Sequence, residues 1–464
     1  MALPQGQVTR PDCVTPVSPL SARYRRGVGS ESVVGQRTGA MFKVFVTSWA
    51  LFLGMFMLMV GNGVQGTLLG IRGGIENFST FQMSIVMSAY FLGFLGGSRL
   101  APEMIRRVGH VRVFAALGST ISAVLILYPV LTEVWAWTLG RVIIGFCFSG
   151  VYVTAESWLN NAATNENRGQ SLSIYMLAQM SGIVVAQGIL SVGDVSGYTL
   201  FIIPSVLVSM AFAPILLSVQ PTPAFESTRP LSIRTLVAIS PLASVGMFLL
   251  GGVFAAQFGM TAVYGTQAGL SVAQISLLVS GIYIAALVAQ YPIGWLSDRM
   301  DRRLLIIALA AIGGTGAMIA MLSQGNFFVI ILGAALVGGT SNPLYALYIA
   351  YANDFMEHED MAAASAGFIF INGVGAIMGP ILIGWIMGRF GEASFWSVVA
   401  VLMFIMALYG LVRVLQRPGD TAIEDQVSYS PVMASSSPVA MEVAQEIYIE
   451  TELDDISEEE GKIS

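Results

Sequence analysis

The chain has 464 residues, 55% of them hydrophobic and only 11% charged, with a formal net charge of −6. Soluble domains carry about 25% charged residues, so the composition excludes a soluble enzyme or a nucleic-acid-binding domain and requires lipid as solvent. The negative charge says little about partners, because the acidic surplus is concentrated in Glu424–Glu460 and in Glu357–Asp360.

Residues 1–42 are rich in Arg, Ser, Gly and Pro and lack the apolar core of a secretory signal. They are expected to form a disordered cytoplasmic leader. Met41-Phe42-Lys43 opens the first apolar run abruptly, which makes Met41 a second candidate start of translation. About 20 apolar residues cross one bilayer. On that basis twelve spans are expected at 43–69, 80–98, 113–131, 134–157, 170–191, 198–219, 237–265, 272–296, 304–322, 326–352, 362–386 and 393–413. The Pro-containing linker 220–236 separates a first bundle, 43–219, from a second, 237–414. The polar, acidic stretch 415–464 reads as a disordered tail, either idle or recruiting a partner.

Arginines decide the orientation. With the N-terminus inside, the cytoplasmic segments collect Arg99, Arg106, Arg107, Arg112, Arg299, Arg302, Arg303, Arg413 and others, whereas the outside keeps only Arg72 and Arg389. The positive-inside rule therefore places both termini of a multi-pass membrane protein in the cytoplasm. Cys13 and Cys147 support no disulfide argument.

The two halves repeat each other. Gly294-Trp295-Leu296-Ser297-Asp298-Arg299-Met300-Asp301-Arg302-Arg303 lies between spans eight and nine, and a weaker copy, Arg106-Arg107-Val108-Gly109-His110-Val111-Arg112, lies between spans two and three. Glu156, ending span four, is matched in position with Asp354, ending span ten. A six-plus-six duplication is the simplest explanation, and parallel halves of this kind form transporter scaffolds.

On these residues the chain resembles a major facilitator superfamily transporter over 43–413. The superfamily's loop signature is met by Gly294, Asp298, Arg299, Arg302 and Arg303, with Asp301 where a Gly is usual; in the first half Pro102 and Arg106 stand where a Gly and an acid are expected. Gly140-Arg141 through Gly145, then Glu156-Ser157, Asn167-Arg168-Gly169 and Tyr175-Met176, are similar to the bacterial YcaD-like branch. The resemblance implies an all-α membrane fold of twelve helices in two pseudo-symmetric bundles. It also implies that spans one, four, seven and ten line a central cavity. Carried onto this sequence, that points to Asn62, Gln65, Arg141, Tyr152, Gln257, Tyr264, Asn342 and Tyr345 as solute-binding residues.

Each reading has a plainer rival. Arg141 lies on one face of span four with Gly145, Ser149, Tyr152 and Glu156; a membrane-embedded Arg faces a cavity or a partner, or else snorkels to the surface. Amides and phenols inside spans also stitch helices together. The loop charges, with Asp298 as clamp and Arg106, Arg107, Glu156 and Asp354 around it, form either a conformational latch or mere topology signals. Gly375, Gly379 and Pro380 mark a packing and bending site in span eleven.

An amide- and phenol-rich pocket with one cation suits a neutral or weakly anionic, aromatic organic solute, such as a vitamin-like flavin. No ATP-binding, nucleophile or metal motif is present in the sequence, so the chain is expected to be no enzyme, to need no cofactor and to act as a monomer driven by existing gradients. Span five lacks the Pro of the antiporter signature, which favours uptake. Drug efflux by proton antiport and nutrient sensing on a transporter scaffold are the rival readings. A coupling proton would have only Glu156 and Asp354 near the membrane to carry it.

Overall fold

The structure, a computed structural model, describes residues 30–162, 168–217, 231–356 and 358–416. The described residues form helices and short connections: α1 Ser30–Ile75, α2 Thr80–Val108, α3 His110–Leu127, α4 Val134–Ala162, α5 Arg168–Val192 and α6 Thr199–Leu217. The second half comprises the short α7 Ile233–Ile239, then α8 Pro241–Ala255, a π-helical turn Ala256–Met260 and α9 Thr261–Gln267, which together make one continuous span. It ends with α10 Val272–Ser297, α11 Arg302–Met321, α12 Phe327–Asn353, α13 His358–Phe390 and α14 Ser394–Gln416. Among the described residues eleven helices are long and apolar enough to cross a membrane, and α6 adds a shorter apolar stretch, Thr199–Pro214.

Helix starts follow local chemistry. Ser79 caps α2 and Ser271 caps α10; each serine accepts from the third residue of its helix, Gln82 or Gln274, whose side chain accepts from the cap in return. This reciprocal box satisfies two otherwise orphaned donors. One start differs from expectation: α1 begins at Ser30, inside the segment read as a disordered leader. No proline occurs between Pro19 and Pro102, so nothing in the chain stops the helix from extending past the apolar run. The linker also ends early, since Leu231 N–H donates to the Ala363 carbonyl at 3.0 Å and α7 begins at Ile233. The expected leader before Ser30 and the tail after Gln416 lie outside the described residues.

The same pairings build both halves. α1 packs on α5 and α6, α2 on α4, and α3 on α4 and α6; correspondingly α8 packs on α13 and α14, α10 on α12, and α11 on α12 and α14. The shift that carries Ser79 onto Ser271 and Gln82 onto Gln274 also carries His110, first residue of α3, onto Arg302, first residue of α11. It carries Ala162 onto Asp354 and Glu156 onto Tyr348. The expected correspondence of Glu156 with Asp354 is therefore corrected.

Among the described residues, three helix pairings make most of the contact between the halves. α2 lies along α13, where the Ser88 hydroxyl donates to the Ile377 carbonyl at 2.5 Å. α5 meets α10 through Met176, Met180 and Ala286. At the end of the molecule remote from the arginine-rich loops, α1 meets α9 along a glycine ridge. A Cβ built on Gly70 would stand 2.6 Å from the Ala262 Cβ, and one on Gly74 would stand 2.7 Å from the Thr266 Cγ2. Missing side chains let backbones approach this closely.

Candidate functional site

A cavity of about 920 Å³ of atom-free space, open solvent at its mouth included, lies between the halves. Of the eight expected solute-binding residues, Asn62 and Tyr152 line it from the first half and Gln257 and Asn342 from the second. The Tyr152 hydroxyl donates to the Met59 sulfur at 3.0 Å. Gln257 sits in the π-helical turn and its Nε2 donates to the Ser341 hydroxyl at 2.9 Å. A π turn inserts one residue into the helical register and so re-aims the following side chains. Here it coincides with a polar residue that faces the cavity.

The other four lie outside the lining. Tyr264 stacks on Phe395 at 5.0 Å and meets Trp396 edge-on at 5.5 Å, a packing role between α9 and α14. Tyr345 is fully buried with its ring 6.0 Å from Phe254. Gln65, which the repeat makes the counterpart of Gln257, is buried with its amide against the Tyr128 hydroxyl. Arg141 is fully buried behind Tyr90, its guanidinium carbon 4.6 Å from that ring's centroid. The expectation that Arg141 faces the cavity directly is thus corrected: an aromatic ring separates the two.

Sequence reasoning missed part of the lining because it drew only on polar residues of spans one, four, seven and ten. Tyr90, Phe91 and Phe94 of α2, Tyr283 of α10 and Asn372 of α13, together with the apolar Phe258 of the π turn in span seven, also face the cavity. Tyr90 and Phe258 rings lie 5.3 Å apart, a bridge between the halves. Asn372, whose Nδ2 donates to the Met247 carbonyl at 3.0 Å, was visible in the sequence as a lone amide in an apolar span. Beside it α13 presses on α8. A Cβ on Gly375 would lie 1.9 Å from the Phe248 carbonyl oxygen and one on Gly379 would lie 2.7 Å from the Gly252 Cα, with Pro380 following inside the helix.

The charged loops form a second constellation. Arg302, 1% exposed, bonds Asp354, 3% exposed, at 2.6 Å, and its Nε donates to the Ser297 hydroxyl at 3.2 Å. Asp298, expected to be the clamp, is 41% exposed and 4.0 Å from Arg302. Gly294 accepts the Asp298 N–H at 3.3 Å in the closing turn of α10. Arg299 turns back over the Trp295 ring at 4.3 Å. Asp301, standing where the family has Gly, caps α11 by accepting from Arg303 N–H at 2.8 Å and pairs with its side chain at 2.7 Å. Burial pushes the Asp301 carboxyl up, but the bonds from the Arg303 side chain and backbone outweigh this and hold it below its ordinary value.

The first-half copy is built differently. Arg106 and Arg107 are exposed and both pair with Glu103 one turn back in α2. The buried position equivalent to Arg302 holds His110, 2% exposed, with its ring 6.4 Å from Trp158. Glu156, 2% exposed, accepts from the Tyr175 hydroxyl at 3.1 Å.

Comparisons with known proteins agree with this architecture. The Major Facilitator Superfamily profile matches residues 51–271 and 242–432. Over 378 residues the chain is 27% identical to the uncharacterised MFS-type transporter YcaD of Salmonella enteritidis PT4 (strain P125109), covering 80% of this chain and 97% of that protein; YcaD of Salmonella typhi gives the same figures. Among solved structures it is similar to the nucleoside transporter NupG, with TM-score 0.64, 15% identity, and 79% and 98% of the two chains covered. A D-xylose-proton symporter gives TM-score 0.62, 15% identity and coverage of 79% and 96%. A bacterial homologue of the human lysosomal transporter Spinster gives 0.64, 15%, and 84% and 99%. With twelve apolar helices in repeating halves around a shared cavity, and a family profile spanning both, the chain belongs to the Major Facilitator Superfamily and is a multi-pass membrane transporter.

Proposed function

We propose that this transporter takes up a small, planar organic solute by alternating access, driven by existing gradients, as a monomer in a bacterial inner membrane with its arginine-rich loops in the cytoplasm. The carrying observation is the composition of the cavity wall. Phe91, Phe94, Phe254 and Phe258 offer ring faces, while Asn62, Gln257, Asn342 and Asn372 offer amide donors and acceptors from both halves. Rings bind a flat apolar body, and a few placed amides fix its orientation. The wall suits heterocycles as a class, and no feature of it is particular to a flavin. That NupG is a nucleoside transporter is in keeping with such a class.

The absence of proline from α5 supports uptake over antiport, and the α1–α9 ridge closes the face opposite the arginine-rich loops. Melting of the purified protein against vitamins, nucleosides, sugars and antibiotics, followed by flux of the hits into reconstituted vesicles, tests the proposal. A heterocycle should raise the melting temperature and be carried inward. Stabilisation by sugars alone, or flux only outward, would overturn it.

A further inference from the structure

Behind Tyr90 lies a cluster of polar groups that the cavity does not use. Arg141 is fully buried, its Nε and Nη1 have no hydrogen-bond partner, and its Nη2 reaches only the Met87 sulfur at 3.7 Å. No described carboxylate forms an ion pair with it. The neighbouring Tyr128 hydroxyl and Gln65 amide are buried against each other and have no further partner, and the Asn62 amide oxygen at the cavity edge is buried and unbonded.

Packing pins the guanidinium there. α4 presses directly on α2, so that a Cβ on Gly145 would lie 2.0 Å from the Tyr90 carbonyl oxygen. One turn from Arg141 on the other side, Trp137 Nε1 donates to the Tyr128 carbonyl at 3.0 Å. The Tyr90 ring contributes a cation–π contact, which engages the face of the guanidinium and leaves its N–H fork idle. A buried charge is tolerated when it is paired and hydrogen-bonded. What this cluster lacks is an acceptor carrying one negative charge.

We propose that Arg141, Gln65 and Tyr128 form an anion subsite opening off the central cavity, with Tyr90 as its door, and that it takes one small anionic group. The group is either the carboxylate of the transported solute or an inorganic halide. The solute form rests on the cavity being the transport site, with the planar body between Phe94 and Phe258 and the carboxylate on the guanidinium fork. Planar bidentate pairing is what Arg offers a carboxylate and Lys does not.

The test uses the full-length protein in lipid nanodiscs at constant sodium and ionic strength, with a bulky HEPES anion replaced stepwise by chloride, acetate or benzoate. Melting temperature should rise saturably in the wild type and show no such rise in Arg141→Gln. Gln65→Leu, which keeps the cation, should raise the half-saturating concentration about tenfold. That variant and the wild-type titration decide the matter if Arg141→Gln does not insert.

Benzoate saturating below acetate would identify the solute's own carboxylate, with its apolar part in the cavity. Chloride saturating as low as the carboxylates would identify an inorganic occupant. No saturable response to any of the three, or the same response in Arg141→Gln, would overturn the subsite. A neutral heterocycle whose stabilisation is lost in Gln257→Leu would then show that the central cavity still binds solute without it.

Discussion

Arg302 and Arg141 are both sealed from solvent, and the chain treats them oppositely. Arg302 has Asp354 at 2.6 Å, whereas Arg141 has an aromatic face and idle donors. Removing one partner of a buried pair leaves an uncompensated charge, at a cost of about 3–5 kcal/mol. Asp354→Asn should therefore lower stability by that order, and the double variant with Arg302→Gln should recover part of the loss, both read by denaturant unfolding in detergent. Gln257→Leu removes a buried hydrogen bond and a polar wall group, worth about 1 kcal/mol. Uptake assays should show roughly a fivefold higher half-saturating solute concentration, with the melting temperature lowered by a few degrees at most. Asp301 gives a pH dependence of defined sign. Its carboxyl titrates below the ordinary value, so its contribution is complete above that value and is lost as pH falls through the lowered one. Asp301→Asn should flatten the acid limb of a melting-temperature profile. The sequence showed Arg302 and Asp354 as charged residues but not as partners, because their separation along the chain is closed only by the docking of α11 on α12. Arg141 was legible as an anomaly, while the ring of Tyr90 in front of it depends on a helix–helix register that no spacing reveals.

At the level of the helices, legibility follows how local the cause is. Ser79 with Gln82 and Ser271 with Gln274 announce their helices in four residues, and both form. The start of α1 at Ser30 and the π turn at Ala256–Met260 have no such signature. The first runs through a stretch free of proline, and nothing local in the sequence marks the second. The glycine ridge of α1 carries a prediction of its own. Gly70→Leu must collide with Ala262, so the α1–α9 contact should open, whereas Gly66→Ala, with its nearest neighbour at 3.7 Å, should be tolerated. Spin-label distances between α1 and α9 should lengthen in the first variant, with flux lost, and stay unchanged in the second.

For the molecule as a whole, the fold was the most legible part, because hydropathy and arginine bias are summed over hundreds of residues and single errors cancel. Reporter fusions after Gln416 should be active in the cytoplasm and silent outside, in line with the proposed orientation. The repeat was also legible, but its register was not; aligning by the cap serines, not by the acids, moves Glu156 off Asp354. That register has a consequence at the α1–α9 seam. Gly66, Gly70 and Gly74 each meet Phe258, Ala262 and Thr266, the residues that the duplication makes their own counterparts. The seam therefore lies on the axis relating the halves and fits at one depth only, like a key whose teeth were cut from its lock. Inserting a single residue into either helix above it would leave hydropathy intact and misalign every tooth.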